Sequence, residues 1–199
     1  TIKEHKAIIF NGNGYSDEWL EEAARRGLPN LVSTVDALPH YMDPQNIAMF
    51  EKFHVYTKEE IASRTDILLE NYSKVINIEA MTMLDMTKKK LLPAAMEYGK
   101  KICDTAIAKK QLGLDASAET KLAADLDSNT AKMYEAMQAL ESKVNAAKEI
   151  GDVLECAKAY RSQVFSAMGD LRTYADQLEM LVSAEDWPLP PYSDLLFNV

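Results

Sequence analysis

Three histidines, two cysteines and 31 carboxylates are the groups in this 199-residue chain that could carry chemistry, and their spacing decides which chemistry. Glu51-x-x-His54 has the form of half a di-iron motif. A bundle di-iron centre needs a second such pair and two further glutamates projecting inward. No second pair exists, and His5 and His40 stand alone, so no metal ligand is assigned. Asn11-Gly12-Asn13-Gly14 has the glycine content of a phosphate-cradling loop. It lacks the Gly-Lys-Ser/Thr of a P-loop and does not fit G-x-G-x-x-G, so a tight turn is the plainer reading. No G-x-S-x-G occurs, and no Ser-His-Asp or Cys-His arrangement is indicated. Cys103 and Cys156 are far apart and outside any C-x-x-C spacing; two buried free thiols in a reducing compartment are expected. The chain is therefore assigned no catalytic, cofactor-binding or metal residue.

One carboxylate stands out. At 100° per residue, Ile61, Leu68, Tyr72, Val75, Met83 and Met86 fall within about 40° of one direction, and Glu79 points the same way. A charge there would have to be paired or neutral, because an unpaired buried charge is very costly. Two readings follow: a buried salt bridge with Arg64 or a lysine, or a contact or site residue for a neighbouring domain. The apolar residues around it predict a segment enclosed on all sides.

The elements that would position such groups are mostly helices. Ala7-Ile8-Ile9-Phe10 is a short apolar run closed by the turn residues 11–14, predicting one strand over residues 5–10. A lone strand needs partners, so its sheet is expected upstream of Thr1. Ser16 or Asp17 can cap a helix reaching Arg26, with Gly27 just past its end. Thr34 and Asp43-Pro44 start two short segments. Thr57-x-x-Glu60 is a capping box for a long helix to about Lys90. Pro93 bends or restarts it, and Gly113 stops the continuation near Leu112. Two long helices follow, about 118–149 and 153–182, the second opened by Asp152 with Glu155. Their short connection makes them antiparallel, and at about 1.5 Å per residue each spans roughly 45 Å. Leu126, Thr130, Met133, Met137, Leu140, Val144 and Ala147 form a 3.5-residue stripe on the first. Val153, Ala157, Tyr160, Val164, Ala167, Leu171, Tyr174, Leu178 and Leu181 do so on the second, which predicts coiled-coil packing. The expected architecture is mainly α: a short strand and small helices over residues 1–56, then a long-helix antiparallel bundle with a docked apolar tail over residues 57–199.

Composition narrows the function. The chain is 47% hydrophobic and 27% charged, ordinary for a globular protein. A net charge of −9 argues against nucleic acid, which draws on clustered Lys and Arg. No apolar run approaches a membrane span and no signal peptide is visible, so a cytoplasmic location is expected. Asn71-Tyr72-Ser73 matches a glycosylation sequon that such a location would leave unused.

The tail Trp187-Pro188-Leu189-Pro190-Pro191-Tyr192-Ser193-Asp194-Leu195-Leu196-Phe197 is stiff and apolar. Pro188-x-x-Pro191 formally fits a polyproline ligand, but Trp187, Leu189, Tyr192, Leu195, Leu196 and Phe197 read better as an arm docked on the protein or a neighbouring subunit. The tail resembles the C-terminal signature of type III glutamine synthetases. So do the blocks His5-Lys6-Ala7-Ile8-Ile9-Phe10-Asn11-Gly12-Asn13-Gly14-Tyr15-Ser16 and Glu70-Asn71-Tyr72-Ser73-Lys74-Val75-Ile76-Asn77-Ile78-Glu79-Ala80, and the pattern Leu171-Arg172, Ala175-Asp176, Leu178-Glu179. The four blocks fall in family order. Residues 113–160 match loosely, and Leu189 stands where an aromatic is expected. The resemblance implies the C-terminal helical region of a longer ligase, and a start at Thr1 rather than Met fits an excised fragment. That parent joins ammonia to L-glutamate using ATP and Mg, giving L-glutamine. ATP and Mg are implied for the parent only, with no cofactor in this chain. The implied partners are an upstream catalytic domain and, as in the family's double-ring dodecamers, other copies of the chain; the fragment alone is expected to be inactive. The other reading is an independent helical-hairpin protein–protein interaction module.

Overall fold

Local signals set the helix ends. In the computed structural model, which describes residues 1–190 and 192–197, Thr57 and Glu60 form the reciprocal cap. The Thr57 N–H donates to Glu60 Oε2 at 2.8 Å and the Glu60 N–H donates to Thr57 Oγ1 at 3.3 Å. Asp152 Oδ1 likewise accepts from the Glu155 N–H at 2.9 Å. Gly27 (φ 72°) and Gly113 (φ 73°) supply the left-handed residue past two helix ends.

The helices are α1 (Asp17–Arg25), α2 (Thr34–Ala37), α3 (Pro44–Lys52), α4 (Lys58–Met86), α5 (Leu92–Gln111), α6 (Ser117–Lys148), α7 (Val153–Ala159), α8 (Phe165–Glu179) and α9 (Tyr192–Phe197). A π-helical turn, Thr87–Leu91, joins α4 to α5, and another, Tyr160–Val164, joins α7 to α8. The first lies directly ahead of Pro93, which lacks an N–H and whose ring crowds the carbonyl four residues back. A wider turn lets the helix pass a proline that would otherwise break it.

The expected strand is not formed, and the described residues contain no strand. Lys6–Ile8 makes a 3-10 turn, leaving Ile9 extended at φ −97°, ψ 121°. The physical reason is that a strand is a pairing property, and no second strand is present to complete a ladder.

The chain divides into two compact units, Thr1–Leu68 and Leu69–Val199. The second holds a contiguous core. From α6 come Leu126, Met133, Met137, Leu140, Val144 and Ala147; from the last long segment come Ala159, Tyr160, Val164, Ala167, Leu171 and Leu178. All but Ala159 belong to the expected stripes, and α6 packs on both α5 and α8. Burying each leucine contributes about 1.5–3 kcal/mol. Lys109 in the last turn of α5 pairs with Glu119 in the first turn of α6, so each charge also opposes its helix dipole. Trp187 is buried and Leu189 packs against the same core. Lys101 binds Asp186 at 2.5 Å beside them.

Candidate functional site

In the N-terminal unit the side-chain hydrogen bonds that reach furthest along the sequence come from Arg26, the residue that caps α1. Phe10 stacks on Trp19 with ring centroids 4.5 Å apart, and the Arg26 guanidinium lies 5.7 Å from the Trp19 ring. Arg26 Nη1 donates to the carbonyls of Ala7 (3.1 Å) and Ile9 (2.7 Å), while its Nε donates to Glu22 Oε1 at 2.6 Å. Arg25 grips the same carboxylate through Nε at 2.6 Å and Nη2 at 2.5 Å. Hydrogen bonds from Arg25, then Arg26, pull the Glu22 carboxyl down to about 2. Two carbonyls of the would-be strand are thus held by a guanidinium rather than by a neighbouring strand. The turn after them is tight: a Cβ on Gly12 would lie 2.5 Å from the Phe10 ring. Asn13 Oδ1 accepts from the Tyr15 N–H at 3.1 Å, so Asn11-Gly12-Asn13-Gly14 serves as a turn.

The same unit leaves large apolar groups in solvent. Ile2, Ile8, Val32, Phe53 and Val55 are each more than half exposed. Tyr41, Phe50 and Tyr56 form an aromatic run, and Arg64 sits 4.4 Å over the Tyr56 ring. Tyr41, Tyr56 and Arg64 line a cleft of about 280 Å³ together with Ile61, Thr65, Ile67 and Leu68. Where exposed apolar groups are contiguous they mark surfaces that meet another protein or domain.

Several expectations change here. Glu79 is exposed, not buried. The inward face of α4 carries Leu69, Ser73, Ile76, Ala80 and Leu84, while Val75, Ile78 and Met81 are exposed, so this stretch is not enclosed on all sides. The buried set is turned about one residue, roughly 100°, from the stripe of large side chains: Ile76, Ala80 and Leu84 join the main core, so the face that packs is the neighbouring one. Glu51 and His54 do not form a ligand pair. His54 has φ 53° and lies just past α3, where its N–H donates to the Glu51 carbonyl (3.1 Å) and the Val55 N–H to the Phe50 carbonyl (3.0 Å). The motif is a helix stop of the Schellman kind, with histidine in glycine's usual place. His40 Nδ1 is 2.8 Å from Asp43 Oδ2, and His5 is exposed. Among the described residues no group of three or more His, Cys, Asp or Glu is placed to hold a metal. Cys103 is exposed and Cys156 half-buried, against the expectation of two buried thiols. In the tail Leu195 and Leu196 are exposed. Pro191 and the side chains of Tyr192 and Phe197 lie outside the described residues. No described helix is long and apolar enough to cross a membrane. The sequence reading missed Arg26. The signal was available as Arg25-Arg26 at the end of an amphipathic helix with a free stretch of backbone upstream.

The described residues thus form an all-α chain of two units, one built around a continuous helical core and one with few buried apolar residues. The chain belongs to the glutamine synthetase C-terminal domain family, whose model matches residues 1–110. It is 40% identical over 201 residues to a glutamine synthetase of Butyrivibrio fibrisolvens, covering 100% of this chain and 29% of that protein. It is 30% identical over 203 residues to a type-3 glutamine synthetase of Dictyostelium discoideum, covering 99% of this chain and 28% of the relative. A glutamine synthetase of Bacteroides fragilis is 31% identical over 197 residues, covering 96% and 27%. The chain thus spans under a third of the length of these relatives.

Proposed function

We propose that this chain is the C-terminal helical region of a type III glutamine synthetase, in which it docks on the catalytic domain and contributes to assembly rather than to chemistry. The observation that carries this is the N-terminal unit's uncovered apolar surface, in a chain that spans 29% of a relative's length. The parent's reaction is ATP-dependent ligation of ammonia to L-glutamate. On this reading its Mg and ATP would be held by residues outside this chain. The segment around Ile8 and Ile9 would complete its strand on a sheet edge of that domain, replacing Arg26 as the partner of its carbonyls. Exposed Val75, Ile78 and Met81 on α4 supply a further strip for covering. Exposed Leu112, Leu114 and Met180 on the long-helix bundle suit contact between subunits.

The test uses the full-length parent. Val32→Asp with Val55→Asp places two charges on the face without touching the buried core. Glutamine formation is expected to fall at least tenfold. Deleting residues 114–182 is expected to change the number of protomers per particle, read as light-scattering mass divided by the shortened protomer mass. Full activity in the first variant together with an unchanged protomer number in the second would overturn the proposal in favour of a free-standing helical interaction module.

A further inference from the structure

A second cleft lies wholly within the C-terminal unit. It encloses about 280 Å³ where α4, the end of α6 and the start of α7 meet, and nothing in the docking proposal uses it. Its inner wall is set by Tyr160, only 3% exposed, whose hydroxyl donates to Asn77 Oδ1 at 3.2 Å. That bond commits the amide oxygen to the protein. The Asn77 NH₂, which has no protein acceptor among the described residues, is left for whatever enters the cleft. Tyr160 opens the π-helical turn Tyr160–Val164. Unlike the turn at Thr87–Leu91, this one has no proline following it to explain it, and such turns recur at functional sites.

The charges at the cleft are unequal. Lys74 is matched by Glu70 at 2.9 Å. Lys148 has no carboxylate within ion-pair distance among the described residues, and its Nζ rests 4.0 Å from Met81 Sδ. One uncompensated ammonium and one free amide donor therefore line the same space, while Ile150, Val153 and Cys156 supply an apolar floor. An ammonium and an amide NH₂ are both donors, and together they suit an acceptor carrying one negative charge.

We propose that this cleft binds a small carboxylate, its oxygens toward Lys148 and Asn77 and its short carbon stem on Ile150 and Val153. The experiment titrates butyrate into the isotope-labelled chain and follows the Asn77 side-chain amide and the Gly151 N–H by NMR. 1-Butanol, with the same stem and no charge, is the control. Saturable shifts with butyrate, absent with butanol and weakened at least tenfold in both Lys148→Met and Lys148→Gln, are expected. Absence of a saturable shift, an equal response to butanol, or unchanged affinity in the two Lys148 variants would overturn the proposal. This readout needs neither the parent's activity nor its assembly, so it stands or falls separately from the docking reading.

Discussion

The two units solve the problem of stability differently. Leu69–Val199 buries a continuous apolar core, including Leu126, Met133, Leu140, Val144, Val164, Leu171 and Leu178, all essentially inaccessible. Thr1–Leu68 buries four apolar residues, Ala23, Val35, Leu38 and Ile61, and leaves thirteen large ones exposed, from Ile2 to Leu68. What holds it is local: caps, an aromatic stack and one arginine clamp. A chain segment with so small a core is marginal by itself, because burial is the term that offsets conformational entropy. The difference is one of core, not of surface: the first unit has little buried apolar area of its own, whereas the second is built around a continuous core although it too leaves twelve large apolar residues exposed among the described ones, from Val75 to Leu196.

The sharpest way to break this comparison is a matched pair of truncations. Leu140→Ala removes a fully buried side chain from the bundle and is expected to cost about 2–5 kcal/mol. Val32→Ala, at a residue 70% exposed, is expected to stay within about 0.5 kcal/mol in the isolated chain. Urea titration by circular dichroism measures both. Equal losses would show that the first unit has a core of its own.

Legibility in the sequence follows the same divide between local and distant causes. The capping box at Thr57 and Glu60, the Asp152 cap, the stops at Gly27 and Gly113 and the two 3.5-residue stripes were readable, because each depends on residues within a turn or two. The strand over residues 5–10 was misread, because whether a backbone is extended depends on a partner the local sequence does not contain. Glu79 was misplaced for a related reason. A projection at a fixed 100° picks out one row of large side chains, but the core formed on the neighbouring face, where Ser73 and Ala80 lie with Leu69, Ile76 and Leu84. The exposed apolar surface of the first unit was only half legible. Apolar residues near the amino terminus were visible; that they stay exposed was not.

Acid should sharpen the comparison within the bundle's tail. Hydrogen bonds from Lys101 and Ser183 hold the Asp186 carboxyl below its ordinary value of 3.8. The folded value is depressed, so the stabilisation is present above the unfolded value near 3.8 and is lost as pH falls through the lower folded value. With Trp19 replaced by Phe, Trp187 fluorescence reports the tail alone. It is expected to shift to the red below about pH 4, and Asp186→Asn should show the shift at neutral pH. A tail that stays docked at low pH would assign it to Trp187 and Leu189 packing alone.

A smaller effect tests the first unit's aromatic stack. A Cβ at Gly12 meets the Phe10 ring, so Gly12→Ala must displace that ring from Trp19. Such pairs are worth about 0.5–1.5 kcal/mol beyond their area. The expected result is a change in Trp19 fluorescence in a Trp187→Phe background, with the bundle's urea transition unmoved. A shift of both transitions would mean the units are coupled more tightly than their separate cores imply.

The smallest expected effect concerns the residue that most resembled a metal ligand. His54 holds a left-handed backbone at φ 53°, where a side chain with a Cβ is disfavoured by roughly 1 kcal/mol and glycine is not. Glycine returns part of that advantage through its greater freedom in the unfolded chain. His54→Gly should therefore stabilise the N-terminal unit by about 0.5 kcal/mol, and His54→Val, branched at Cβ, should destabilise it by more. Amide exchange of the Val55 N–H, which donates to the Phe50 carbonyl, reads the cap directly. Slower exchange in the glycine variant and faster exchange in the valine variant would confirm that this histidine is kept as a helix stop. The opposite order would return its imidazole to consideration as a functional group. In a unit with so little buried surface, a single cap is a measurable share of what keeps it folded, and the glycine stop at Gly113 should be a smaller share of the stability of the bundle it belongs to.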